Sequence, residues 1–137
     1  MTSETFIDTS GFYALLVEAD SGHAAAVRWL TAARSRRTRV VTTDYVLDET
    51  ATLLKARGHG SLAGAFFDQL DASEQCIVLS VDRDHFSRAR AFFVKHADHA
   101  YSFTDCTSFV VMGERGIREA LTKDSHFGEA GFTPLLV

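Results

Sequence analysis

The chain has 137 residues, 46% of them hydrophobic, and its 18 acidic and 14 basic residues give a net charge of −4. This length is typical of a single domain, here expected to span residues 1–137, with a core that needs no disulfide or metal staples. The charge balance argues against a protein that binds nucleic acid through bulk positive charge, although two divalent cations would bring the total to zero.

Neither export nor membrane insertion is expected from the sequence. The first twenty residues contain four acidic side chains, which a signal peptide would not tolerate. No apolar run approaches the roughly 20 residues that span a bilayer. Cys76 and Cys106 are isolated and show neither disulfide nor zinc spacing. We therefore expect a cytoplasmic protein that makes no membrane contact.

Short apolar strands alternate with amphipathic helices along the chain. Apolar or β-branched segments between turn residues predict strands at 5–7, 39–42, 75–79, 119–122 and 133–137. Apolar residues at helical spacing predict helices at 11–18, 23–33, 45–57, 62–71, 82–97, 105–114 and 125–129. Thr9 or Ser10 is expected to cap the first helix. This alternation predicts an α/β fold with three α/β/α layers around a mostly parallel sheet.

Aromatic residues are concentrated in two of the predicted helices. The face of helix 62–71 is wider than one packing surface requires, and it comprises Leu62, Ala63, Phe66, Phe67 and Leu70. Burial in the core is the simpler interpretation of this face, and a surface for a partner chain is the alternative. In helix 82–97, Phe86, Ala89 and Phe93 are predicted to point inward.

Four arginines lie close together just before the second strand, at Arg34, Arg36, Arg37 and Arg39. One interpretation is a solvated helix end, where cations complement the helix dipole. The other is a patch that contacts the phosphates of a nucleic acid. Both interpretations remain open from the sequence.

Isolated carboxylates stand near the starts of several predicted helices. Asp8 follows the first strand, Asp124 follows the fourth, and Asp105 opens the sixth helix. If the strands are parallel, these acids gather at one rim of the sheet, where ligands of such folds bind. Their mutual repulsion would require divalent cations, so Mg²⁺ or Mn²⁺ is the first ligand to consider.

Each of these acids also has a purely structural explanation. Asp105 fits a helix-capping pattern, and Asp124 can cap the short helix that follows it. Thr9 and Ser10 already offer caps for the first helix, which leaves Asp8 available as a ligand.

A fourth acid is expected from the third predicted helix. Asp48 and Glu49 are adjacent there and point about 100° apart, so only one can face the rim, and spacing does not choose between them. His126 lies two residues after Asp124, and we assign it at most an auxiliary role.

The acids and their neighbours resemble the motifs of PIN-domain nucleases, particularly the VapC-type toxins of toxin–antitoxin pairs. The matching segments, in order, are residues 7–10 (IDTS), 44–50 (DYVLDET), 101–105 (YSFTD) and 121–127 (LTKDSHF), the last followed by Gly131 and Phe132. The resemblance covers nearly all of the chain from Thr5 to Val137, and it favours Glu49 over Asp48. Cys106 departs from the pattern, since many relatives carry alanine there.

The resemblance implies a metal-dependent ribonuclease that uses Mg²⁺ or Mn²⁺. Asp8 and Asp105 would be direct ligands, and Asp124 and Glu49 would hold waters or a second ion. Ser10 and Thr122 would orient the neighbouring carboxylates, and together with the four acids they make up the expected site.

The resemblance also implies two protein partners. Toxins of this type form homodimers and are silenced by a small antitoxin that lies across apolar helices. The face around Leu62, Phe66 and Phe67 is the candidate for such a contact.

Two other classes of protein are alternatives to a nuclease. An aspartyl-phosphate phosphatase expects a second acid two residues after its nucleophile, where this chain has Ser10, and a receiver domain needs an acidic pair that is not evident. A domain that binds RNA or protein without cleaving is the other alternative, and four intact acids argue against it.

Overall fold

The computed structural model describes residues 3–137, which form one five-stranded parallel sheet flanked by helices. The strands are β1 (Glu4–Ile7), β2 (Arg39–Thr43), β3 (Cys76–Leu79), β4 (Glu119–Leu121) and β5 (Thr133–Pro134), in the order β3-β2-β1-β4-β5. The helices are α1 (Thr9–Leu16), α2 (His23–Arg36), α3 (Asp44–Ala56), α4 (Ala63–Ala72), α5 (Arg83–Lys95), α6 (Phe103–Arg115) and α7 (His126–Glu129), with a 3₁₀ turn at Gly60–Leu62. The predicted α/β fold and its order of elements are confirmed. No helix within residues 3–137 has the length and apolar character needed to cross a bilayer.

The chain changes its direction of winding at β1, in the middle of the sheet. From β1 it proceeds to β2 and β3 on one side, and it then returns to form β4 and β5 on the other. Right-handed crossovers place the helices of these two halves on opposite faces of the sheet. The crevice beyond the carboxyl ends of β1 and β4 is therefore the topological switch point, where open sheets of this kind bind their ligands.

The central strands are buried on both faces. Phe6, Val41 and Leu121 are fully buried, as expected for strands covered by helices on both sides. Helix α1 approaches β4 closely at Gly11, where an added Cβ would lie only 2.0 Å from the carbonyl oxygen of Leu121. Glycine at this position therefore lets the start of α1 sit directly against the end of β4.

The start of α1 differs from the sequence prediction. Asp8, rather than Thr9 or Ser10, is the cap, and its carboxylate accepts the Gly11 N–H at 3.0 Å. The reason is that the backbone is still extended at Asp8, with ψ at −177°, so both hydroxyl residues already belong to the first helical turn. The prediction that Asp8 is spare for another task because others cap the helix was wrong in its premise.

Helix α5 packs through a different face from the predicted one. Ala89 is buried, but Phe86 and Phe93 are 42% and 41% exposed. Both rings lie against Phe103 of α6, with centroid distances of 5.0 and 5.7 Å. Phe92 packs against the core instead. These aromatic side chains thus pack against one another in a partly exposed cluster. The spacing of apolar residues in the sequence did not reveal this packing.

The apolar face of α4 divides between core and surface. Phe66 is only 3% exposed and packs edge-on against Phe12 at 5.0 Å, whereas Phe67 is 39% exposed. Beside Phe66, an apolar groove of about 190 Å³ runs between α1, α2 and α4, lined by Leu16, Val27 and Leu70 among others.

Candidate active site

A polar pocket of about 270 Å³ opens at the carboxyl ends of β1 and β4. All four acids singled out in the sequence line it, namely Asp8, Glu49, Asp105 and Asp124. They come from the junction of β1 and α1, from α3, from α6 and from the turn after β4, so four separate segments of the chain contribute one carboxylate each. The pocket therefore sits at the switch point of the sheet.

Asp8 forms the floor of this pocket and is 7% exposed. Its Oδ1 accepts the Gly11 N–H at 3.0 Å and the Ser10 hydroxyl at 2.9 Å, and its Oδ2 accepts the Thr122 hydroxyl at 2.8 Å. Burial nevertheless raises the pKa of Asp8 from its ordinary 3.8 to about 7, and the charge of Asp105 adds to this effect. A nearby cation would be needed to keep Asp8 fully ionised at neutral pH.

Ser10 and Thr122 join the two central segments of the pocket. Besides donating to Asp8, the Ser10 hydroxyl accepts the Lys123 N–H at 2.8 Å, and the Thr122 hydroxyl accepts the Asp124 N–H at 2.9 Å. The two hydroxyl oxygens are 3.1 Å apart. This network fixes the turn after β4 against the start of α1, and it thereby fixes Asp124 relative to Asp8.

Asp105 serves the first turn of α6 as well as the pocket. Its Oδ2 accepts the Ser102 N–H, and its own N–H donates to the Ser102 hydroxyl, both at 3.0 Å. The capping interpretation of Asp105 is therefore correct, but the side chain still lines the pocket. Burial raises the pKa of Asp105, and the charges of Asp124 and Glu49 raise it further. The charge of Asp105 thus interacts unfavourably with each of the other three acids.

His126 lies closer to the acids than its auxiliary role implied. Its Nδ1 is 3.0 Å from Oδ1 of Asp124 and 4.0 Å from Oδ2 of Asp105. One ligand atom from each of Asp105, Asp124 and His126 lies within 4.8 Å of the others, which is close enough for all three to surround a metal ion. The Tyr101 ring supports the imidazole edge-on at 5.7 Å.

The geometry distinguishes Glu49 from Asp48. Glu49 lines the acidic pocket together with Leu53 and Arg57, at intervals of four residues along one face of α3. Asp48 is exposed and does not line that pocket.

The chemistry of the pocket suits a hard divalent cation. Carboxylate oxygens are the ligands such ions prefer. Of the two basic residues in the pocket, Lys123 is already paired with Asp20 at 3.1 Å, which leaves the four acids with little internal compensation. The donor set and its uncompensated charge therefore fit a divalent metal site.

The four clustered arginines lie elsewhere. Arg34 and Arg36 occupy the last turn of α2, Arg37 is the left-handed cap with φ at 57°, and Arg39 begins β2. They therefore lie at the amino ends of the strands, whereas the acids lie at the carboxyl ends. Their contact with RNA stays a prediction. Sequence reasoning missed Arg57, although its spacing of eight residues from Glu49 on a helix was a signal for it.

Comparisons with known proteins agree on one family. The family model described as PIN domain matches residues 5–133. The chain is 38% identical over 129 residues to the 23S rRNA-specific endonuclease VapC20 of Mycobacterium tuberculosis, in strains CDC 1551 / Oshkosh and H37Rv, covering 93% of this chain and 94% of the relative. It also resembles the crystal structure of VapC20, described as a Sarcin-Ricin loop cleaving toxin, with a TM-score of 0.85, 36% identity, and coverage of 96% of this chain and 97% of that one.

Proposed function

This chain belongs to the PIN-domain family, and we propose that it is a divalent-metal-dependent endoribonuclease, the toxin of a toxin–antitoxin pair. The observation that carries this proposal is the convergence of four carboxylates from four segments on one pocket. The identity of 38% over 93% of the chain to an endonuclease specific for 23S rRNA makes ribosomal RNA the first substrate to test.

We propose that the four acids bind a metal ion, either Mg²⁺ or Mn²⁺, and that they have different roles in binding it. Asp8 and Asp105 are the proposed direct ligands, and Glu49 and Asp124 hold waters or a second ion. When bound, the ion lowers the pKa of a water molecule and stabilises negative charge on the phosphate under attack.

Other side chains keep these acids in place. Ser10 and Thr122 aim both oxygens of Asp8 through their hydrogen bonds. Lys123 is held by Asp20 and by the Ser21 hydroxyl at 2.9 Å, so it anchors the turn that carries Asp124.

The arrangement around Asp8 disfavours the phosphatase alternative. Such a phosphatase carries a second acid two residues after its nucleophilic aspartate. Ser10 occupies that position here, and its hydroxyl donates to Oδ1 of Asp8 instead of supplying a second carboxyl group.

An RNA digestion panel tests the proposal. Purified protein is incubated with 23S rRNA and with an unrelated structured RNA, in EDTA, Mg²⁺ or Mn²⁺. We expect cleavage only with a metal ion, and loss of cleavage in Asp8→Asn and Asp105→Asn. Asp48→Asn is the matched control, because it removes a neighbouring carboxylate that lies outside the pocket. Cleavage in EDTA, or unchanged turnover in Asp8→Asn, would contradict the proposal.

Two protein contacts belong to the same proposal. We propose that the antitoxin occupies the apolar groove between α1, α2 and α4, to which the predicted face of α4 contributes Phe66 and Leu70. We propose a homodimer formed through the exposed aromatic cluster of Phe86, Phe93 and Phe103.

Each contact has its own measurement. Val27→Glu places a charge at the 40% exposed rim of the groove and should weaken antitoxin binding without changing the oligomeric state. Phe93→Glu should yield monomers in light scattering and leave antitoxin binding intact. We also propose that residues 1–137 act as a single nuclease domain. Because its proposed substrate is RNA, we propose that the protein acts in the cytoplasm.

A further inference from the structure

Arg57 is held over the mouth of the acidic pocket by an aromatic ring. It follows the last turn of α3, and its guanidinium carbon lies 4.9 Å from the centroid of the Tyr13 ring. Tyr13 is itself buried and packs edge-on against His59 at 6.1 Å. A cation stacked on a fixed ring loses much of its freedom, so the guanidinium is directed rather than loosely solvated.

The position of Arg57 follows from the helix that carries Glu49. Glu49, Leu53 and Arg57 all line the pocket. Residues four apart lie on the same face of a helix, and eight residues correspond to about 12 Å along its axis. Arg57 therefore lines the same pocket as the acids, and as a permanent cation that only donates hydrogen bonds it is not itself a metal ligand.

The guanidinium donors of Arg57 have no partner among residues 3–137. The other basic residue of the pocket, Lys123, is paired with Asp20. Within residues 3–137, the Arg57 guanidinium has no ion pair and no side-chain hydrogen bond, only its stacking on Tyr13. Five N–H donors in a planar fork suit the oxygens of a phosphate, which an arginine can contact through two of them.

We propose that Arg57 binds a phosphate of the RNA that flanks the one to be cleaved, with Tyr13 holding the guanidinium in place. This inference rests on the proposed ribonuclease function. An RNA strand that enters an acidic pocket is repelled by the carboxylates unless a cation contacts its phosphate groups. Arg57 supplies that cation at the wall of the pocket, two helical turns from Glu49 along the chain, and positions the strand across the pocket. The clustered arginines lie at the amino ends of the strands and are badly placed for this role.

RNA binding measured without cleavage tests this assignment. Fluorescence anisotropy of a labelled RNA is recorded in the Asp8→Asn background over a series of salt concentrations. We expect Arg57→Ala to weaken binding roughly tenfold at low salt, and to reduce the slope of log Kd against log salt by about 0.7, the value for one phosphate of a single strand. Arg57→Lys should keep the slope while losing part of the affinity, since its charge remains but the fork is lost.

Two controls make the result specific. Arg118→Ala removes an exposed arginine just before β4, at the amino ends of the strands and away from the acids. This variant should leave both the Kd and the slope of log Kd against log salt unchanged. Arg57→Met retains the aliphatic stem over Tyr13 and should behave like Arg57→Ala if charge is what binds RNA. Equal melting temperatures of these variants confirm that folding is not the cause.

The kinetic readout separates this proposal from the function on which it rests. In the otherwise native protein, Arg57→Ala should raise KM roughly tenfold and leave kcat within about threefold, as expected for a contact made equally before and during the reaction. Unchanged Kd and salt slope, or a fall in kcat at constant KM, would overturn the role of Arg57. Absence of metal-dependent cleavage by the native protein would instead refute the ribonuclease function, and the binding assay distinguishes the two.

Discussion

Replacement of Asp8 by asparagine should stabilise the metal-free protein, and the gain should depend on pH. Asp8 is buried, and its pKa in the folded protein is raised to about 7 from an ordinary 3.8. The folded chain therefore keeps a proton on Asp8 at pH values where the unfolded chain has released it. The contribution of Asp8 to the free energy of unfolding is therefore most favourable below about pH 4, and it is lost as the pH rises toward 7.

The size of the effect follows from that shift in pKa. About three pKa units correspond to about 4 kcal/mol, because each unit is worth 1.36 kcal/mol. Asparagine carries no charge at any pH, so the variant should be spared this loss. The difference in unfolding free energy between variant and native protein should thus grow by up to about 4 kcal/mol between pH 4 and pH 8. Changes in the hydrogen bonds to Ser10, Gly11 and Thr122 contribute a constant offset and cancel from this difference.

Urea unfolding in EDTA at a series of pH values measures the effect. Glu49→Gln is the control, because it removes a charge from the same pocket but from a half-buried side chain, and we expect a change of less than about 1 kcal/mol. A divalent ion should then stabilise the native protein more than Asp8→Asn, since it binds the folded state through Asp8. A difference between Asp8→Asn and the native protein that stays constant from acid to alkaline pH would refute the reasoning.

Three further substitutions probe how the pocket is supported. Gly11→Ala should destabilise the protein by about 3 kcal/mol or more and abolish cleavage, because its Cβ would meet the Leu121 carbonyl oxygen at 2.0 Å; a native melting temperature would exclude this close approach. Phe66→Ala should cost about 3–5 kcal/mol in urea unfolding, since it empties a buried site against Phe12, and a change below about 1 kcal/mol would show that the ring is not core. Thr122→Val should lower the affinity for Mn²⁺ in calorimetry and cost about 1–3 kcal/mol of stability by leaving buried polar groups unpaired; unchanged Mn²⁺ affinity would remove its orienting role.

The order and type of the elements were predictable because the central strands carry a strong local signal. Val40 and Val41 in β2 are β-branched and apolar, as is typical of strands covered on both faces. The gathering of the acids at one rim also followed from sequence, because it depends only on the strands being parallel.

The details that sequence reasoning missed depend on contacts between distant segments. The inward face of α5 was wrong because Phe86 and Phe93 pack on Phe103, ten or more residues further along the chain. The double use of Asp8 as helix cap and pocket floor depends on backbone angles that composition does not encode. The partner of Arg57 is Tyr13, a residue of another helix, so its orientation over the pocket was equally out of reach.

Because the acids lie only at the carboxyl ends of the strands, the amino ends offer a place to label the protein. Turns that lead from helix into strand, such as the one containing exposed Arg118, lie opposite the acids. The native thiols are shielded: Cys106 is buried, Cys76 is half-buried, and burial raises the pKa of each to about 11. A maleimide dye at neutral pH should therefore react with an Arg118→Cys variant almost alone, since the thiolate is the reactive form. Such a fluorophore or surface tether would leave the entrance for RNA unobstructed in single-molecule experiments.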